Sequence, residues 1–226
     1  MKFDNKAIKF DEMVRDKSND ELGLFEKYDE ILSEIRSRII EHGAASVIDI
    51  GCGTGNLCGE LSEKIDITGI DKSMEMLLFA KKKYDKMKIK SGDFLDKPYR
   101  KNDVDIVVTT FAFHSLNDNE KEEAIKYMLE YIKNDGKIII VDFMFANDKE
   151  RKKCLNNLCS KGREDLCSVI ENKHYTNIEK LEKYINDLDC KIHFEHMVNF
   201  TWIVEIEKNY FKLNSSISNL TKSSKI

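Results

Sequence analysis

Val47-Ile48-Asp49-Ile50-Gly51-Cys52-Gly53-Thr54-Gly55-Asn56-Leu57 is the stretch that decides the fold. Its first half, from Ser46, is a short β-branched run and reads as a buried strand. Three alternate glycines follow, and a helical segment is expected from Asn56 to about Lys64. Glycines after a first strand let the backbone turn sharply and let a ligand approach without Cβ interference. The helix start beyond them would offer unpaired N–H groups to a carboxylate or anion. A glycine-rich loop means little alone, but strand before and helix after is the context it needs.

Working outward, the alternation continues. Asp66–Asp71 reads as a second strand, Ser73 caps a helix running to about Tyr84, and Met87–Lys90 is a third strand. Val104–Thr110 is apolar enough to be buried on both faces. A helix from Asn119 to Lys133 ends near Gly136, and Lys137–Asp142 makes a fifth strand. Strands alternating with helices imply βαβ units and a parallel sheet, hence a doubly wound α/β fold.

The flanks differ. Upstream, Leu24, Phe25, Tyr28, Ile31, Leu32, Ile35 and Ile39 recur at helical spacing and stop at Gly43, with a weaker pattern (Phe3, Ile8, Phe10, Val14) before them. Residues 1–43 are therefore expected to form a helical cap that acts as a lid. Downstream, Thr176-Asn177-Ile178-Glu179 reads as a capping box opening a helix to about Leu188. Lys191–Met197 and Phe200–Glu207 read as an antiparallel hairpin. The tail from Asn214 is Ser/Lys/Asn-rich, and the single proline, Pro98, falls in a loop. One domain of 226 residues accommodates all of this.

Composition narrows the partners. Lys and Arg number 37 against 41 Asp and Glu, a net charge of −4, so the basic excess of a nucleic-acid binder is missing. Lys81-Lys82-Lys83 reads as a solvated helix face. No stretch reaches the roughly 18 apolar residues that span a bilayer, and Met1–Lys6 lacks the apolar region of a signal peptide. A cytoplasmic protein without a membrane partner is expected. The cysteines at 52, 58, 154, 159, 167 and 190 form no CxxC pair and read as free thiols. Cys154, Cys159, Cys167 and His174 match no common zinc spacing, so no metal is expected.

Spacing within the loop separates ligands. Dinucleotide folds use Gly-x-Gly-x-x-Gly to approach a pyrophosphate, whereas this chain has Gly51-x-Gly53-x-Gly55 with Asn at 56. Asp49, at the tip of the first strand, suits the ammonium of an amino acid, directly or through water. Asp71 closes the second strand, where a carboxylate can accept from both hydroxyls of a ribose. Asp93, in Ser91-Gly92-Asp93-Phe94, could accept from an adenine amino group while Phe94 packs on the ring. One such aspartate is readily a turn former; three at successive strand ends argue for a ligand. Amino acid, ribose and adenine without phosphate describe S-adenosylmethionine.

At these residues the chain resembles the class I S-adenosylmethionine-dependent methyltransferases, whose first motif is an acidic residue followed by Gly-x-Gly-x-Gly. The resemblance covers residues 44–208 and implies a mostly parallel seven-stranded sheet of order 3-2-1-4-5-7-6 with strand 7 antiparallel, leaving 209–226 as a tail. More narrowly, the chain is similar to the uncharacterised YrrT-type methyltransferases of bacteria. The similar stretches are Asn5–Met13, Gly53–Leu57, Gly92–Leu95, Phe111–Asp118, His174-Tyr175 and Phe200–Ile203. That resemblance implies cofactor contacts at Gly51, Asp71 and Asp93. Relatives tend to carry a Trp and a Tyr-Asp where this chain has Met13 and Lys17-Ser18, so lid contacts do not carry over.

Methyl transfer needs mainly alignment and exclusion of water, with a base only where the acceptor must shed a proton. His114, in the loop after the fourth strand, is the candidate catalytic base; packing or capping the loop is its equal alternative. That loop lacks the Asn/Asp-Pro-Pro-Tyr/Phe element of many enzymes that methylate amino groups of DNA bases. Phe111, Phe113, Phe143, Met144, Phe145, Tyr175 and Trp202 could line an apolar pocket or belong to the core. A small-molecule acceptor is the leading expectation. RNA or protein methylation, a non-catalytic cofactor-binding module and a homodimer remain open.

Overall fold

The computed structural model describes residues 5–18, 20–97 and 100–209. Phe3, Pro98 and the tail from Asn214 lie outside them.

The chain opens with two helices, α1 (Asn5–Met13) and α2 (Tyr28–Glu41). In α2 the helical stripe is realised: Tyr28, Ile31, Leu32, Ile35 and Ile39 are buried. Gly43 takes φ +72° just beyond the last turn, a left-handed conformation glycine adopts freely. The alternating part follows as β1 (Ser46–Ile50), β2 (Asp66–Asp71), α3 (Met74–Lys83), β3 (Lys88–Ser91), β4 (Val104–Thr110), α4 (Asp118–Tyr131) and β5 (Ile132–Phe145). Ser73 caps α3 by accepting from Met76 N at 3.3 Å. Then come α5 (Asp148–Ser160), α6 (Glu164–Glu171), the two-residue β6 (Thr176–Asn177), α7 (Ile178–Asp187), β7 (Cys190–Val198) and β8 (Thr201–Lys208).

The sheet runs β3-β2-β1-β4-β5-β8-β7, with β6 paired to the end of β5. β1 to β5 are parallel, while β8 is antiparallel to both β5 and β7. Setting β6 aside, this is the expected order. One apolar layer, including Ile48, Ile50, Val107, Ile138 and Ile140, packs against Ile125 and Met128 of α4 and Leu181 and Ile185 of α7. The opposite face buries Val47, Ile106, Val108, Ile139 and Val141 against α2 and α3. A third cluster joins Phe143, Phe145 and Tyr175 to Ile170 of α6, with Leu155 of α5 and Phe25 of the N-terminal segment beside it.

Three sequence expectations need correction. No α-helix runs from Asn56 to Lys64; turns lead into a short 3-10 helix, Glu60–Glu63. Gly55 and Gly59 weaken any helix there, and Tyr84 packs so close that a Cβ on Gly59 would lie 2.1 Å from its ring. The Thr176–Glu179 capping box does not form either, because Thr176 pairs with Met144 as strand. Asn177 caps α7 instead, accepting from Lys180 N at 3.1 Å. Finally, α5 and α6 fill a stretch for which no element was anticipated.

Candidate functional site

The glycine loop leaves β1 by turning toward β2. The N–H groups of Gly51 and Cys52 both donate to Ile70 O, at 2.8 and 3.0 Å. Gly51, Gly53 and Gly55 have φ of +75°, +52° and +77°, which L side chains rarely adopt. Their surroundings differ. A Cβ on Gly51 would stand 2.4 Å from Ala112 Cβ, and one on Gly55 would press on Tyr84, Ala80 and Met87. At Gly53 a Cβ would meet only Phe10 Cε1, at 4.0 Å. The loop is thus packed at both ends and open in the middle.

Asp49 lies at the mouth of this loop and is 0% exposed. Among the described residues, neither carboxylate oxygen has a hydrogen-bond partner of ordinary geometry. Burial is the main cause pushing its pKa up to about 7; the Cys58 thiol, a weak donor, opposes the shift, and the charge on Asp71 adds to it. A buried acid left without a donor is costly unless something brings one. An ammonium group is the donor that would complete it.

The other aspartates are anchored. Asp71 Oδ2 accepts from Gly53 N at 2.9 Å and Oδ1 from Ser73 N at 2.8 Å, tying the open glycine to β2. Asp93 Oδ1 accepts from Leu95 N at 2.8 Å, and Oδ2 pairs with Lys72 Nζ at 2.9 Å. Partial burial works to raise the Asp93 pKa, but Lys72 and the Leu95 N–H outweigh it and hold the group below the usual carboxylate value. Phe94 is 5% exposed and meets Phe113 edge-on, with ring centroids 5.7 Å apart. Its ring lies in the core beneath the Asp93 loop.

Helix α1 brings a residue that the sequence reading missed. Asp11 Oδ1 accepts from Thr54 Oγ1 at 2.5 Å and from Asn56 Nδ2 at 2.8 Å. Lys83 Nζ bonds Asn56 Oδ1 at 3.0 Å and lies 3.6 Å from Asp11 Oδ2. The Tyr28 hydroxyl, its pKa pushed up to about 12 by burial, completes the group at 3.3 Å from Asn56 Nδ2. The match of Asn5–Met13 and Gly53–Leu57 to one family was the available signal, although nothing in it said that the two segments touch.

Beyond β4 the chain turns out of the sheet at Phe111, a non-glycine residue at φ +53° whose N–H donates to Val141 O at 2.8 Å. His114 follows in a 3-10 turn, Phe113–Ser115. Its Nδ1 is 2.7 Å from Asp142 Oδ1, and its main-chain N–H donates to Asp142 Oδ2 at 2.8 Å. The ring lies 5.2 Å from that of Phe143 and 6.4 Å from that of Tyr175. Phe25, between α1 and α2, covers this cluster from above, 5.6 Å from Phe111 and 5.8 Å from Phe143. Asn199 Nδ2 holds Gly23 O at 3.1 Å, and Arg163 pairs with Glu21 at 2.6 Å, so the covering segment is tethered to both the β7–β8 turn and α6. The Tyr175 hydroxyl is buried without a partner among the described residues, and burial raises its pKa. Met144 and Phe113 sit in the core, while Trp202 is half-buried against His196.

Comparison with known proteins gives a consistent picture. Residues 41–183 match the family model described as a methyltransferase domain. An uncharacterized methyltransferase of Oceanobacillus iheyensis is 31% identical over 91% of this chain and 95% of its own. One of Anoxybacillus flavithermus is 32% identical over 91% and 96%. Among solved structures, magnesium protoporphyrin IX methyltransferase from Synechocystis, with bound S-adenosylhomocysteine, superposes with a TM-score of 0.69 at 14% identity, covering 92% of this chain and 96% of that one.

Proposed function

The chain belongs to the methyltransferase domain family, and on that premise we propose that it moves a methyl group from S-adenosylmethionine to a small-molecule acceptor held beneath its own N-terminal segment. The observation that carries the cofactor reading is Asp49, a buried carboxylate with no donor but the weak Cys58 thiol among the described residues, at the mouth of a loop whose middle glycine is its least crowded. An amino-acid ammonium supplies the missing donor, and the open backbone at Gly53 admits the chain that bears it. Asp71 offers its remaining lone pairs to ribose hydroxyls, and Asp93 accepts from an adenine amino group. Phe94 backs the Asp93 loop from within. Gly51 and Gly55 keep the loop in its left-handed course.

When bound, that cofactor supplies a methyl group on a positively charged sulfur, already activated for in-line displacement. The protein's part is alignment, exclusion of water and, where the acceptor must lose a proton, a base. His114 is that base, beside the rings of Phe143 and Tyr175. The small acceptor follows from the roof. Phe25 rests on Phe111 and Phe143, and its segment is tied at Gly23 and Glu21. A folded RNA or protein surface would have to displace that whole cover, whereas a metabolite would need only a local opening of it.

Calorimetry with S-adenosylmethionine, S-adenosylhomocysteine and NAD tests the cofactor, with binding of both adenosyl ligands and none of NAD expected. A metabolite library scored by formation of S-adenosylhomocysteine tests the acceptor. Turnover on bulk RNA or protein, with none on any metabolite, would overturn the acceptor reading.

A further inference from the structure

Asp142 is completely buried on β5, 28 residues beyond the histidine it serves. Three N–H groups converge on its carboxylate. Oδ1 takes Phe143 N at 2.7 Å and faces His114 Nδ1 at 2.7 Å, while Oδ2 takes His114 N at 2.8 Å. His114 O in turn accepts from His174 N at 3.1 Å, and Lys121 donates to His174 O. Main chain and ring of His114 are therefore both held. A carboxylate only accepts hydrogen bonds, so the imidazole nitrogen facing it carries the hydrogen. The lone pair is left on Nε2, which has no hydrogen-bond partner among the described residues.

A purely structural role for Asp142 would need only the two main-chain bonds. The third bond, to the ring, selects a tautomer and aims it. We infer that Asp142 is a positioning residue that keeps His114 as the Nδ1–H tautomer with Nε2 as the free base, ready for an acceptor that must shed a proton, of which thiols and hydroxyl compounds are the cases tested. This rests on His114 being the base, as proposed above. The acceptor's S–H or O–H bond breaks and its proton passes to Nε2. The electron pair left behind forms the new bond to the methyl carbon as the carbon–sulfonium bond breaks and that sulfur keeps its pair. The proton then leaves Nε2 to water.

Ring-nitrogen spectroscopy of protein labelled with ¹⁵N-histidine tests this without any acceptor, the His114 signals being assigned by their loss in His114→Asn. At a pH where the ring is neutral, the wild-type protein is expected to show a hydrogen on Nδ1 and none on Nε2. In Asp142→Asn a single oxygen replaces two and cannot serve both main-chain N–H groups and the ring, so the preference for Nδ1–H should weaken and a hydrogen on Nε2 should appear. Turnover of alkyl thiols and phenols by that variant should then fall roughly a hundredfold or more in kcat, with cofactor affinity unchanged. A wild-type Nε2–H tautomer overturns the inference even if Asp142→Asn does not fold. The expected tautomer together with full turnover by His114→Asn would instead overturn the base reading beneath it.

Discussion

The side-chain amide of Asn56, in the glycine loop, donates to the Asp11 carboxylate of the first helix at 2.8 Å. With Thr54 on the same oxygen, this bond latches α1 onto the glycine loop. Arg15, one turn on, joins Asp11 O at 3.0 Å to Asp29 at 2.7 Å and so ties the end of α1 to the start of α2. Asp11→Ala removes the latch and leaves the Asn56 and Thr54 donors to water. Hydrogen exchange across residues 5–13 is expected to quicken in the free protein and cofactor affinity to fall several-fold, the scale of one or two hydrogen bonds at about 1 kcal/mol each. Exchange in α1 that ignores the substitution would leave the helix a passive flank.

If Asp49 receives the cofactor's ammonium as proposed, binding is a proton-linked event. Its folded pKa is raised to about 7, so in the cofactor-free protein its contribution to stability is full at low pH and is lost as pH rises through that value. An arriving ammonium favours the ionised form. At about pH 6, binding should therefore release close to one proton, and affinity should rise with pH until about 7. Calorimetry in two buffers of different ionisation enthalpy measures the release; none at all would separate Asp49 from the ammonium. Asp49→Asn should weaken binding tenfold or more while raising the stability of the free protein at about pH 8, since it buries no charge.

The two glycines that look alike in the motif should fail differently. Alanine at position 51 drives its methyl to 2.4 Å from Ala112 Cβ, so loss of fold stability is expected, read as a lowered thermal midpoint. At position 53 the nearest atom is 4.0 Å away, and the cost is the left-handed backbone alone, roughly 1 kcal/mol. Gly53→Ala should therefore fold, yet bind cofactor far more weakly because the methyl occupies space the ligand needs. Equal affinities for wild type and Gly53→Ala would move the ligand away from this glycine.

Asp71 holds Gly53 N, and on the proposed reading it also offers acceptors to the ribose. Asp71→Ala removes both and should cost tenfold or more in affinity, since charged hydrogen bonds contribute about 1.5–3 kcal/mol each. Asp71→Asn keeps one oxygen and should fall between the alanine variant and wild type. Titrations that place the asparagine variant below the alanine one would contradict this division of labour.

Much of the fold was legible in local runs. Val104–Thr110 is a strand with the bounds its β-branched run suggested, and Ser73 caps α3. The positions of Asp49, Asp71 and Asp93 followed from strand ends. What local reading missed depends on distant contacts. Tyr84 lies against the segment that was expected to be helical. Met144 takes Thr176 into a strand and so moves the cap of α7 to Asn177. Asn147, which accepts from Glu150 N at 3.0 Å, was a readable helix start that went unread. The pairing of His114 with Asp142 joins two segments, 28 residues apart, that only the pairing of β4 with β5 brings together.

The place of β8 also bears on how the molecule comes into being. β8 follows β7 in the chain and is the last strand among the described residues, yet it lies between β5 and β7, pairing Asp142 with Trp202 and Phe143 with Thr201. A ribosome delivers β5 and all of α5 to α7 before the strand that covers β5. Through that interval the nascent protein presents the bare edge of Ile138–Val141, a template for another chain to join. The strand that ends this exposure also seals β5 beside Asp142. Safety from aggregation and a fixed His114 ring thus arrive together, once β8 has been made.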